Sequence, residues 1–120
     1  MEIGKDALEI VDLRIPQSSS FDFKRVHKDK KTGRPVDHSG DTLHMAIKER
    51  DGNIVHDASQ YCHADRCCVS VDLPKSFTAN LELGKNFGWD IFAVNGEASV
   101  RLCAGKVKVI DTYALDSEQS

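Results

Sequence analysis

The chain has 120 residues, with 16 Lys and Arg against 19 Asp and Glu and a net charge of −3. That length suits one domain with a core of its own. The charge repels polyanions, so bulk attraction to nucleic acid or anionic membranes is excluded and neither is expected as a partner. No run approaches 18 apolar residues, so no membrane-spanning helix is expected. MEIGKDALEI lacks the basic and apolar regions of an export signal, which predicts synthesis in a reducing cytoplasm with the four cysteines as thiols.

Residues 1–8 form an N-terminal segment with no pattern of their own. Glu9–Ile15 and Ser19–Lys24 then read as two strands separated by Pro16. Arg25–Pro35 is polar and turn-rich, an exposed hairpin or loop. Asp41–Lys48 alternates, with Leu43, Met45 and Ile47 on one face, which is the pattern of a half-buried strand. Asp51-Gly52 marks a two-residue hairpin, with a return strand through Ile54, Val55 and His56.

Cys67–Leu73 alternates again, placing Cys67, Val69, Val71 and Leu73 inward and Cys68, Ser70 and Asp72 outward, and Pro74 ends it. Lys75–Leu83 fits either a short helical turn or a crossing strand. Phe87–Val94 is a central strand, and Asn95-Gly96 has the residues of a type I′ turn. In the last strand, Glu97–Ile110, the apolar phase runs through Val100, Leu102 and Ala104, then moves to Val107 and Val109. That shift predicts a β-bulge at or beside Gly105. Residues 113–120 form a frayed tail. Seven to eight short, mostly antiparallel strands over residues 9–112 predict an all-β sandwich.

The stretch QYCHADRCCVS, residues 60–70, holds three of the four cysteines. A zinc site drawn from Cys62, His63, Cys67, Cys68 and His56 lacks the repeated close-spaced ligand pairs that tetrahedral zinc uses. Cys67 and Cys68 on a strand point to opposite faces. Either of them could pair with Cys62 or Cys103 if geometry allowed. The simpler reading keeps Cys67 as a small core residue and the rest as partly exposed thiols. Cys62 beside His63 is no nucleophile–base pair, because adjacent strand side chains diverge. His27, His38 and His44 read as solvated.

Lys24, Arg25, Lys28, Lys30, Lys31 and Arg34 face only Asp29 within their segment. The segment has no aromatic residue to stack bases, so it reads as a solvated loop or as the first candidate for docking an acidic partner. A carbohydrate-binding face would need exposed aromatics, and burial accounts more simply for Trp89 and Phe92. No catalytic residue, metal or cofactor is expected.

Several short motifs lie in order along the chain. They are Thr32-Gly-Arg-Pro-Val-Asp37, Gly40–Ile47, Asp51-Gly-Asn-Ile-Val55, Val71-Asp-Leu-Pro74, Leu83-Gly84, Trp89-Asp-Ile91, Asn95-Gly96 and Arg101-Leu-Cys-Ala-Gly-Lys-Val-Lys-Val109. Together they resemble small bacteriophage tail- and baseplate-associated immunoglobulin-like β-sandwich domains over residues 9–112. His38 replaces an apolar residue of that pattern and Trp89 a tyrosine. Residues 56–68 depart from it, so the cysteines inherit no role. The resemblance implies a non-enzymatic virion protein of tail, baseplate or collar, made in the host cytoplasm. It would self-associate and dock other tail or fibre proteins. The alternative is a small cytosolic metal-binding or thiol-dependent protein centred on Cys62, His63 and Cys67.

Overall fold

In the computed structural model, residues 9–111 are described. The expected N-terminal segment, residues 1–8, and the tail, residues 113–120, lie outside the described residues. Nine strand segments form, in chain order, β1 Glu9–Ile10, β2 Leu13–Pro16, β3 Phe21–Arg25, β4 Thr42–Lys48, β5 Ile54–Asp57, β6 Cys62–Ala64, β7 Val69–Leu73, β8 Asn86–Asn95 and β9 Ala98–Ile110. One helical turn, α1 Lys75–Thr78, follows β7. The architecture is all-β. The larger sheet has the order β1-β9-β8-β4-β5, with β2 also on β9, and the smaller has the order β3-β7-β6.

The alternating patterns produce one shared core. Leu43, Met45 and Ile47 of β4, Phe87, Trp89, Ile91 and Ala93 of β8, and Val107 and Val109 of β9 are buried. From the smaller sheet, Val69, Val71 and Leu73 join the same cluster. Phe23 meets the Trp89 ring edge-on at 5.5 Å between centroids. Lys75–Leu83 takes the helical option, and Leu81 behind the helix is buried. Thr78 ties this corner to the turn before β3, because its hydroxyl accepts from Ser19 N at 3.0 Å and donates to Ser19 O at 2.7 Å.

β1 and β2 are one strand with an interruption. Glu9, Ile10 and Leu13 face Cys103, Ala104 and Val107, each 94 positions on, so the register is unbroken across Val11 and Asp12. Both segments run parallel to β9, an edge arrangement that alternation alone does not distinguish from an antiparallel one. Where the strand bows, the Asp12 carboxylate replaces a backbone acceptor and takes the Lys106 N–H at 2.9 Å.

Three local expectations change. The β-bulge lies at Leu102, not Gly105: Ile91 faces Cys103 and Phe92 faces Arg101, leaving Leu102 as the extra residue. Leu102 and Cys103 are therefore both buried, and Ala104 faces Asp90 on the outward side. In the β8–β9 turn, Asn95 pairs with Ala98, so Gly96 and Glu97 are the central residues. Gly96 alone has positive φ, +60°, which fits type II′ and not type I′. In the β4–β5 turn, Gly52 N donates to Glu49 O and Glu49 N to Asn53 O, both at 2.9 Å. With Gly52 at φ +90°, this is a three-residue loop closed by a left-handed glycine.

Candidate functional site

At one end the two sheets separate and leave a cleft of about 480 Å³, a size typical of binding sites. Phe23, Val69, Val71, Ile91, Leu102 and Cys103 line it from both sheets, and Glu9, Arg25, Val26, His27 and Lys28 complete the lining. The alternation of β3 places Arg25 in phase with Phe21 and Phe23, toward the opposite sheet. There its Nε meets Glu9 Oε1 at 3.3 Å. Val26 is 46% exposed, which gives the mouth an apolar lip.

The basic segment leaving β3 folds into a hairpin above this mouth. Lys28 pairs with Pro35, Val36 N donates to His27 O, and Asp29 N donates to Arg34 O. Asp29 Oδ1 accepts from Lys31 N at 2.8 Å and Thr32 N at 3.0 Å. These backbone bonds hold the Asp29 carboxyl below its ordinary range and commit the segment's one acid to its own turn. Lys24 lies exposed on β3 opposite Ser70, and Lys28, Lys30, Lys31 and Arg34 are exposed on the hairpin.

The hairpin is fastened by a chain of polar side chains. His27 Nδ1 lies 2.8 Å from His38 Nε2, and the two rings are nearly coplanar. His38 Nδ1 lies 2.6 Å from Asp41 Oδ2. Asn95 Nδ2 donates to Asp41 Oδ1 at 3.0 Å. An ionised Asp41 requires the proton on His38 Nδ1, and in the matching tautomer His38 accepts at Nε2 from His27 Nδ1–H. The bonds from His38 and Asn95 lower the Asp41 pKa. Burial and the neighbouring His38 lower that of His27. His38 is 4% exposed, so the expectation that His27 and His38 are solvated is corrected. The His38-x-x-Asp41 spacing was the one sequence signal for this chain, but bringing His27 to it depends on the hairpin.

The cysteines do not assemble as the alternative reading needed. Cys62 and His63 on β6 point to opposite faces. Cys62 is half-buried with Sγ donating to Ala58 O at 3.6 Å, whereas His63 is exposed, 3.9 Å from Asp72. Burial and then Asp57 push the Cys62 thiol up to about 12. Burial and then Glu9 push Cys103 up to about 12. At neutral pH neither is a thiolate nucleophile. Cys67 is exposed instead of inward, and Cys68 is half-buried instead of outward. The reason is that β7 begins only at Val69, and residues 65–68 are the turn before it. His56 packs edge-on against Phe77 and Phe87, and His44 is exposed.

No protein-family model matches the chain, and no curated protein matches it. Among solved structures, it is similar to a family 123 glycoside hydrolase from Clostridium perfringens, studied for glycolipid glycan hydrolysis. The identity is 11% and the TM-score 0.49, over 85% of this chain and 23% of that one. The chain thus spans less than a quarter of that protein's length.

Proposed function

We propose that this chain is a non-enzymatic, immunoglobulin-like β-sandwich protein of a phage particle. It sits at the tail, baseplate or collar, is made in the host cytoplasm, associates with itself and docks a neighbouring virion protein. The observation that carries the docking role is the fastening of the basic hairpin over the cleft through His27, His38, Asp41 and Asn95. A solvated loop loses entropy when a partner orders it, whereas a pre-organised hairpin presents its cations without that cost. Lys28, Lys30, Lys31 and Arg34 then favour an acidic surface, and the apolar lip at Val26 supplies contact area beside them.

Edge pairing supplies a route to self-association. β5 and β1 end the larger sheet, and exposed Ile54 and Ile10 lie on them at 62% and 70%. Among the described residues these edges are short. β5 carries a register shift where it meets β4, and β1 is cut off by the bow at Val11. Such edges resist indiscriminate strand addition, which suits a closed oligomer better than a filament.

The test is the protein content of purified particles, measured by quantitative mass spectrometry. The chain should be present in fixed stoichiometry, and Lys28→Glu/Lys31→Glu/Arg34→Glu should fold normally yet fail to incorporate. Absence of the wild-type chain from particles sinks the reading, and normal incorporation of the triple variant removes the hairpin from it.

A further inference from the structure

The turn between β6 and β7 gathers the only two adjacent cysteines of the chain around a carboxylate. Asp65 N donates to Cys68 O at 3.0 Å, closing the turn. Asp65 Oδ1 accepts from Cys67 N and Cys68 N, both at 2.8 Å, which fixes the orientation of the carboxylate. Its other oxygen, Oδ2, lies 3.4 Å from Cys68 Sγ. The ligand atoms of Asp65, Cys67 and Cys68 all lie within 4.8 Å of one another.

The geometry points to a three-ligand site for a thiophilic d10 cation of the zinc class, formed by Asp65, Cys67 and Cys68 with a fourth position open to solvent or to a further ligand. Zinc sits about 2.3 Å from thiolate sulfur and about 2.0–2.2 Å from carboxylate oxygen, and its tetrahedral angle then separates the two by about 3.5 Å. The Asp65 Oδ2 to Cys68 Sγ distance of 3.4 Å already matches that edge. Two sulfur donors select soft and borderline metals over magnesium or calcium. The two amide bonds to Oδ1 leave Oδ2 as the ligating atom and hold it in place, as outer hydrogen bonds do at built metal sites.

Proton balance follows from the groups present. Backbone bonds from Cys67 and Cys68 lower the Asp65 pKa to about 2, so this ligand is already ionised. The Cys68 thiol is raised, first by its hydrogen bond to Asp65. Zinc-class cations bind cysteine as thiolate, so binding releases protons and weakens as pH falls. A capping role for Asp65 explains the two bonds at Oδ1 but not the gathering of both thiols within 4.8 Å of each other and of a carboxylate oxygen.

The site is independent of the docking role, and its test does not use particles. Reduced full-length protein is titrated with Cd2+, whose bonds to thiolates give a charge-transfer band in the near ultraviolet. The band should saturate at one equivalent and be displaced by Zn2+. Cys68→Ser should abolish it. Asp65→Asn keeps the acceptor for both amides but loses the anionic ligand, so it should weaken the apparent affinity at least tenfold. Cys62→Ser should change nothing, and circular dichroism should show every variant folded. A wild-type protein without the band overturns the site, as does a band that survives Cys68→Ser, one that disappears with Cys62→Ser, or an affinity indifferent to Asp65→Asn.

Discussion

A β-carbon added to Gly105 would stand 1.9 Å from the carbonyl oxygen of Val11 and 2.6 Å from its carbon. Both obstacles are backbone, so no rotamer change relieves the contact. Val11 is also held where it is, because its N–H donates to Ala104 O at 2.8 Å. Gly105 is therefore the position that lets β1 and β2 lie as one parallel edge on β9. We predict that Gly105→Ala destabilises the fold by about 3 kcal/mol, the upper part of the range for overpacking, measured by urea unfolding. Gly40→Ala meets nothing within 4 Å and should leave stability unchanged. Equal unfolding midpoints for the two variants would refute the close-approach account.

The same carbonyl explains the tryptophan. Trp89 Nε1–H donates to Val11 O at 2.8 Å while its ring, 2% exposed, packs against Phe23. Trp89→Phe keeps most of the ring packing and removes the donor, leaving a carbonyl without this partner. The expected loss is about 1–3 kcal/mol, and Trp89→Tyr, whose hydroxyl is placed differently, should not restore it. A Trp89→Phe variant as stable as wild type would show that water replaces the indole at no cost.

These two residues also show what was legible in the chain. Alternation placed Trp89 inward and marked a phase change near Gly105, because period 2 reports which face a side chain takes. It did not say that the change occurs at Leu102, since Leu102 and Cys103 are both apolar enough to sit inside. Nor did it reveal that Gly105 serves a strand 94 positions away, because close approach of two backbones leaves no local pattern. The cysteine turn failed for a related reason. Extending β7 back to Cys67 forced Cys67 and Cys68 apart, whereas the Asp65 carboxylate ends the strand pattern and draws that backbone around itself. The cations of the hairpin were visible as composition, but the His27–His38 contact that fastens them is a tertiary event.

On the outward face of the larger sheet, Lys48 Nζ lies 2.9 Å from Asp90 Oδ2. The two partners differ in exposure, with the Lys48 side chain at 30% and that of Asp90 at 10%. Lys48→Met leaves the less exposed carboxylate without its cation and should cost about 1–2 kcal/mol, below the loss for a fully buried pair because Lys48 reaches solvent. Adding Asp90→Asn should recover part of that loss, since it removes the uncompensated charge. A double-mutant cycle by urea unfolding checks this, and strictly additive effects would show that the pair contributes nothing.

The fastening chain makes stability depend on pH. Burial, and after it the nearby His38, lower the His27 pKa from 6.5, with Asp29 opposing weakly. The folded protein thus holds His27 neutral where the unfolded chain has begun to protonate it. Between the folded value and 6.5 the unfolded state binds more protons, so stability rises with pH. The His27 contribution is complete above about pH 6.5 and is lost as pH falls through that window. The depressed Asp41 carboxyl adds a second loss only below its own unfolded value of 3.8. Wild-type urea midpoints should therefore fall between pH 7.5 and 5. His27→Asn places an amide donor near the position of Nδ1 and carries no titrating group. It should be somewhat less stable at pH 7.5, with a visibly shallower decline toward pH 5. If its slope matches that of wild type, the acid sensitivity belongs to other groups and the hairpin is not released by protonation of His27.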